Sequence, residues 1–222
     1  MGEMLTLTAD DGFKLGAYKA TPSGTPRGAI VVVQEIFGVN QHIRKVADGF
    51  AADGYVAISP AIFDRVEKNF ECGYTPQDIE KGRALRGKLT NDGVLADLRA
   101  AVKEASKSGK VGVVGYCFGG TVAWWAGTKI DGVAAAVGYY GGGVAAEATL
   151  KPKTNVMLHF GETDASIPKE DYEKVIQAQP GMPIYIYAAG HGFNCDERGS
   201  WEPASAQLAR QRTLDFFRTH VG

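Results

Sequence analysis

Cysteine is scarce in this chain, with three residues in 222: Cys72, Cys117 and Cys195. An odd number cannot pair off internally, and none of the spacings is a C-x-x-C. That argues against a disulfide scaffold or a zinc ribbon and favours free thiols in a reducing compartment. An excess of charge of either sign is also lacking: 24 Lys and Arg stand against 25 Asp and Glu, a net charge of −1. No global field then draws the protein to nucleic acid or to an anionic membrane surface. No uninterrupted apolar run approaches membrane-spanning length, and Met-Gly-Glu-Met-Leu-Thr at the start lacks the basic and apolar regions of a signal peptide. Internal repeats and low-complexity tracts are missing as well. What remains is a cytoplasmic protein that works on small molecules, with neither nucleic-acid nor membrane partners, and with a monomer as the working expectation. A composition that is 45% hydrophobic and 22% charged is that of a globular domain, and the length suits one α/β domain spanning residues 1–222.

The pattern of apolar residues divides the chain. Leu5 and Leu7, a turn at Asp10-Asp11-Gly12, then Phe13, Leu15 and Ala17 predict an antiparallel hairpin at a sheet edge. Ala29–Val33 is almost wholly β-branched, which suits a central strand buried on both faces. Ile43, Val46, Ala47, Phe50 and Ala51 recur at helical spacing before Asp53-Gly54. A strand follows at 55–60. Residues 61–90 carry mixed charge without a clean period and predict an irregular insertion, a lid or a substrate-facing segment. Beyond it, a helix from Asp92 to Ala105, strands at 111–115, 132–138, 155–160 and 182–187, and helices at 168–178 and 203–219 complete an alternating series. Strands alternating with helices after an N-terminal hairpin predict an α/β fold, a mostly parallel sheet with helices on both faces.

Within that series, Val111–Gly120 stands out. A short valine strand runs into Gly115-Tyr116-Cys117-Phe118-Gly119 and then into a helix. This is the strand–turn–helix of a nucleophile elbow with cysteine in place of serine, flanked by glycines that let the chain pass closely. At a helix N-terminus the unpaired N–H groups and the helix dipole favour thiolate, the reactive form.

In open parallel sheets ligands bind beyond the carboxyl ends of the strands. The loop after 155–160 carries Asp164 and the loop after 182–187 carries His191. Nucleophile, acid and histidine in that chain order, each after its own strand, match the triad order of α/β-hydrolases. His191 would take the proton of Cys117, and Asp164 would fix the imidazole tautomer. Backbone N–H groups of Ile36, after the third strand, and Phe118, after the nucleophile, would form the oxyanion hole. Phe37, Phe118 and Tyr139 are the aromatic candidates for the pocket, with Trp124 assigned to the core.

Taken together, Gln34-Glu35-Ile36-Phe37-Gly38-Val39-Asn40, Gly115-Tyr116-Cys117-Phe118-Gly119-Gly120, Val137-Gly138-Tyr139-Tyr140-Gly141 and Gly190-His191-Gly192-Phe193 resemble the dienelactone hydrolase (carboxymethylenebutenolidase) family, essentially end to end. The resemblance implies an α/β-hydrolase fold, a Cys117–His191–Asp164 triad, and hydrolysis of lactones or esters without a metal or organic cofactor. It also implies a role for Glu35, whose counterpart lies beside the thiol and helps to control its ionisation as substrate binds. A carboxylate next to a thiolate disfavours both charges together, so rearrangement of the pair can switch the thiol on. Members that act on dienelactone hold its carboxylate with two arginines. Here those positions fall on Cys195 and near Ile79, so the task would pass to neighbouring cations: Lys81, Arg83, Arg86 or Arg198. The reading is a cysteine hydrolase of small lactones or activated esters. Its rivals are a broad carboxylesterase or thioesterase, and a redox-sensing or ligand-binding module built on Cys117.

Overall fold

A computed structural model describes residues 2–222. Its eight strands form one sheet in the order β1-β2-β4-β3-β5-β6-β7-β8. The hairpin of β1 (Glu3–Thr8) and β2 (Lys14–Ala20) is antiparallel and edges the sheet, and β2 also runs antiparallel to β4 (Val56–Pro60). The remaining strands, β3 (Ala29–Val33), β5 (Val111–Tyr116), β6 (Val133–Tyr139), β7 (Asn155–Gly161) and β8 (Ile184–Tyr187), pair in parallel with one another and with β4. Every residue of β3 and β5 is buried. These two strands, in register from Ala29 against Val111 to Val33 against Gly115, are sheathed on both faces, which is why they read as unbroken apolar runs.

Six helices cover the sheet: α1 (Gln41–Ala52), α2 (Pro76–Arg86), α3 (Asn91–Ala105), α4 (Phe118–Lys129), α5 (Lys169–Ala178) and α6 (Pro203–His220). Alternation along β5 separates the two layers. At Gly112 a side chain would run into Phe217 of α6, whereas at Gly115 it would run into Gly119 of α4. On the α6 side, Phe50 of α1 and Phe217 meet edge to face with ring centres 6.0 Å apart. The buried Asp97 of α3 is held by two 2.8 Å hydrogen bonds from Arg65, which also binds Asp11 in the hairpin turn. Among the described residues no helix is long and apolar enough to cross a membrane.

The expectation of an irregular stretch at 61–90 needs correction, because it holds a short 3-10 turn at Ile62–Arg65 and the whole of α2. Only Gly82 and Leu85 of α2 are buried, so it has no apolar stripe from which a period could be read. Its start is written in polar residues instead. Thr75 Oγ1 accepts from Asp78 N at 3.2 Å, the Asp78 carboxylate accepts from Thr75 N at 3.0 Å, and Pro76 opens the first turn, which makes a capping box.

Candidate active site

The groups singled out in the sequence leave the carboxyl ends of four strands. Cys117 stands between β5 and α4 with φ 55° and ψ −115°, a left-handed conformation that costs on the order of 1–3 kcal/mol for a residue with a Cβ. Its backbone is held from both sides: its N–H donates to the Tyr139 carbonyl at 3.0 Å, and its carbonyl accepts from Gly120 N at 2.9 Å. The neighbouring glycines are a steric requirement. A Cβ on Gly115 would collide with the Gly119 carbonyl, and one on Gly119 with the carbonyls of Val33 and Gln34. Helix α4 therefore starts directly against the strands, and its first N–H groups, Phe118 among them, have no acceptor within the helix.

His191, in the loop after β8, brings Nε2 to 3.1 Å from Cys117 Sγ and Nδ1 to 2.7 Å from Asp164 Oδ2. The Asp164 side chain is fully buried, and its other oxygen accepts from Ser166 N at 2.8 Å. That bond fixes the carboxylate that in turn fixes the ring. Burial disfavours charge on His191, but the hydrogen bonds and charges of Asp164 and Cys117 outweigh it and raise the imidazole to about 10. The sulfur and the carboxylate therefore face a ring that prefers to hold its second proton at neutral pH.

A cavity of ≈ 520 Å³ opens over this chain of groups, and Cys117, His191, Phe118, Ile36, Phe37 and Arg86 are among the residues that line it. The size suits a small organic ligand. The two candidate oxyanion residues, Ile36 and Phe118, both border it. Phe37 is buried and stacks edge-on against Tyr74 with ring centres 4.6 Å apart.

The four cations offered by the sequence have different surroundings. Lys81 is tied to Glu67 at 2.9 Å. Arg198 donates from Nη1 to Glu35 Oε1 at 3.0 Å, so it balances the almost fully buried Glu35. Arg83 and Arg86 line the cavity from α2, and neither has an acidic partner among the described residues. Arg86 is half-buried with its guanidinium 4.4 Å from the centre of the Phe118 ring, and burial lowers its pKa from the ordinary value.

Tyr139 is not part of this cavity, which corrects the expectation for that residue. It is fully buried at the end of β6, where its hydroxyl shares a 2.6 Å hydrogen bond with Thr213 and its ring packs on His159 at 4.4 Å. The next residue, Tyr140, turns at φ 37° and places its ring 5.2 Å from that of His191. Trp124 is core, as expected, whereas Trp125 lines the cavity. Phe118, Thr121 and Trp125 lie at intervals of three and four along α4, and that spacing was the available signal for this wall.

Comparison with known proteins agrees with this architecture. Residues 15–221 match the dienelactone hydrolase family. A Synechocystis protein provisionally named carboxymethylenebutenolidase is 36% identical, over 98% of this chain and 96% of its own length. The carboxymethylenebutenolidase of Pseudomonas putida is 32% identical, over 96% of this chain and 95% of its own. A crystal structure from Klebsiella pneumoniae, described provisionally as a dienelactone hydrolase, superposes with a TM-score of 0.86 at 29% identity, covering 99% of this chain and 100% of that one. The sheet, the elbow and the end-to-end match agree: this chain belongs to the dienelactone hydrolase family.

Proposed function

We propose that the protein is a hydrolase of small lactones and activated esters that works through a thioester on Cys117, with a preference for substrates that carry a carboxylate. The observation that carries this reading is the unbroken line of contacts from Cys117 Sγ to His191 Nε2 at 3.1 Å and from His191 Nδ1 to Asp164 Oδ2 at 2.7 Å, at the floor of a cavity of ≈ 520 Å³. The sulfur attacks the acyl carbon, and the oxyanion is met by the N–H groups of Ile36 and Phe118. His191 gives its proton to the departing oxygen. A water then loses a proton to the same nitrogen and attacks the thioester, releasing the acid and restoring the sulfur. Asp164 holds the ring in the tautomer that allows both transfers. Glu35 meets Arg198 at rest, and its part in the reaction is to rearrange beside the thiol as substrate binds. Enol lactones suit such a site because their leaving oxygen departs as a stabilised enolate.

The substrate preference rests on Arg86 and Arg83, cavity-lining cations that make no salt bridge among the described residues, whereas the one lining carboxylate, Glu147, is paired with Lys129. The remaining parts of the reading are a cytoplasmic location, as three free cysteines suggest, and action as a monomer, with the α2 segment serving as the substrate-facing wall. Turnover of a p-nitrophenyl ester and of an enol lactone by the wild-type protein and by Cys117→Ala tests the mechanism. Loss of turnover, together with an acyl adduct on Cys117 detected by mass spectrometry, is the expected result; undiminished activity in the variant would refute it.

A further inference from the structure

Behind the cavity, three buried side chains from separate segments converge: Glu35 after β3, His42 in the first turn of α1, and Cys195 in the loop beyond His191. One ligand atom from each lies within 4.8 Å of the others. Two of these groups present atoms without a hydrogen-bond partner, Glu35 Oε2 and His42 Nε2. An unpaired buried polar atom costs about 1–3 kcal/mol, so two of them on residues that converge with one thiol call for an explanation.

We infer that Glu35, His42 and Cys195 form a binding site for a divalent transition-metal cation of the zinc and cobalt class. Carboxylate oxygen, imidazole nitrogen and thiolate sulfur together make a borderline-soft donor set, which suits these ions and not magnesium or calcium. Three protein ligands leave one tetrahedral position for water.

Two further features belong to such a site. His42 Nδ1 lies 3.0 Å from Asp196 Oδ1. With that nitrogen as donor, the neutral ring turns its Nε2 lone pair inward, the carboxylate–histidine arrangement that orients metal-binding imidazoles. There is also a way in: a cleft of ≈ 290 Å³ lined by His42, Asp196, Asn194 and Lys45 reaches the imidazole from the surface. The Cys195 thiol must lose its proton to bind, so one proton leaves as one sulfur–metal bond forms. Burial, followed by the Glu35 charge, pushes that thiol up to about 12, while the Tyr74 hydroxyl beside the sulfur favours its ionised form.

The site shares Glu35 with the proposed control of the thiol but takes neither Cys117 nor His191, and one experiment separates the two readings. Chelator-treated full-length Cys117→Ala protein is titrated with cobalt(II) chloride and then with zinc chloride, so that no metal is held by the proposed nucleophile. Expected are one equivalent of cobalt, a near-ultraviolet thiolate-to-cobalt charge-transfer band, and its loss as zinc displaces cobalt. Cys195→Ser loses the band, His42→Asn loses stoichiometric binding, and Asp196→Ala weakens binding by about 10–100-fold, with circular dichroism reporting that each variant is folded. Absence of the band in the Cys117→Ala protein, or its persistence in Cys195→Ser, overturns the assignment. Either result leaves the reading of Cys117 as nucleophile where it stands.

Discussion

Arg86 offers the sharpest test of substrate choice. Its guanidinium is half-buried against Phe118, faces the cavity, and has no acidic partner among the described residues. A substrate carboxylate placed there gains a charge-assisted hydrogen bond, which contributes about 1.5–3 kcal/mol. At about 1.36 kcal/mol per factor of ten, Arg86→Met should lower kcat/KM for a carboxylated lactone by roughly 10–150-fold. Methionine still covers the Phe118 ring, so kcat/KM for an uncharged lactone of the same ring size should change by less than about threefold, as expected where packing volume is conserved. Arg83 is exposed, and the same contact there, weakened by solvent to at most about 1 kcal/mol, gives Arg83→Met no more than about a fivefold loss. The assay is steady-state kinetics on the paired substrates at fixed ionic strength. Equal losses on both lactones would show that Arg86 shapes the site without reading charge, and no loss on either would remove it from the pocket.

The proton on His191 gives a second prediction. Its folded pKa of about 10 lies above the ordinary 6.5, so its pairing contributes fully below pH 6.5 and is lost as pH rises through 10. Imidazole NMR titration should place the midpoint near 10 in the wild-type protein and lower in Cys117→Ala; an unchanged midpoint would remove the sulfur from the balance. Arg65→Met leaves Asp97 buried without its partner and should cost about 3–5 kcal/mol in urea denaturation, and a cost under about 1 kcal/mol would contradict that burial. Thr75→Ala removes one half of the α2 capping box and should cost about 0.5–2 kcal/mol, measured in the same way. Tyr139→Phe should lose about 1 kcal/mol of stability with the Thr213 hydrogen bond while leaving kcat and KM unchanged, and a kinetic defect would return Tyr139 to the pocket.

What the sequence made legible follows from where apolar patterning is strong. The buried strands β3 and β5 and the elbow after β5 are set by local sterics, so valine runs and paired glycines announce them. Cys117, His191 and Asp164 were recognisable because each leaves a strand end in a diagnostic order. Helix α2 escaped because it buries only Gly82 and Leu85, and its capping box occupies four residues among many polar ones. Tyr139 was misplaced because successive residues at a strand end alternate faces, and it is the next residue, Tyr140 at φ 37°, whose ring meets His191. The pairing of Arg198 with Glu35 spans 163 positions, and the meeting of Glu35, His42 and Cys195 likewise depends on loops brought together only by the completed sheet. No short-range spacing encodes either.

The shallow seating of α2 separates two demands on the molecule. Reactive groups hang from strands that cannot change without unpicking the sheet, whereas Arg83 and Arg86 ride on a helix fastened through two small patches and a polar cap. On the proposed mechanism, surface substitutions along that helix would retune which esters enter while Cys117, His191 and Asp164 stay untouched.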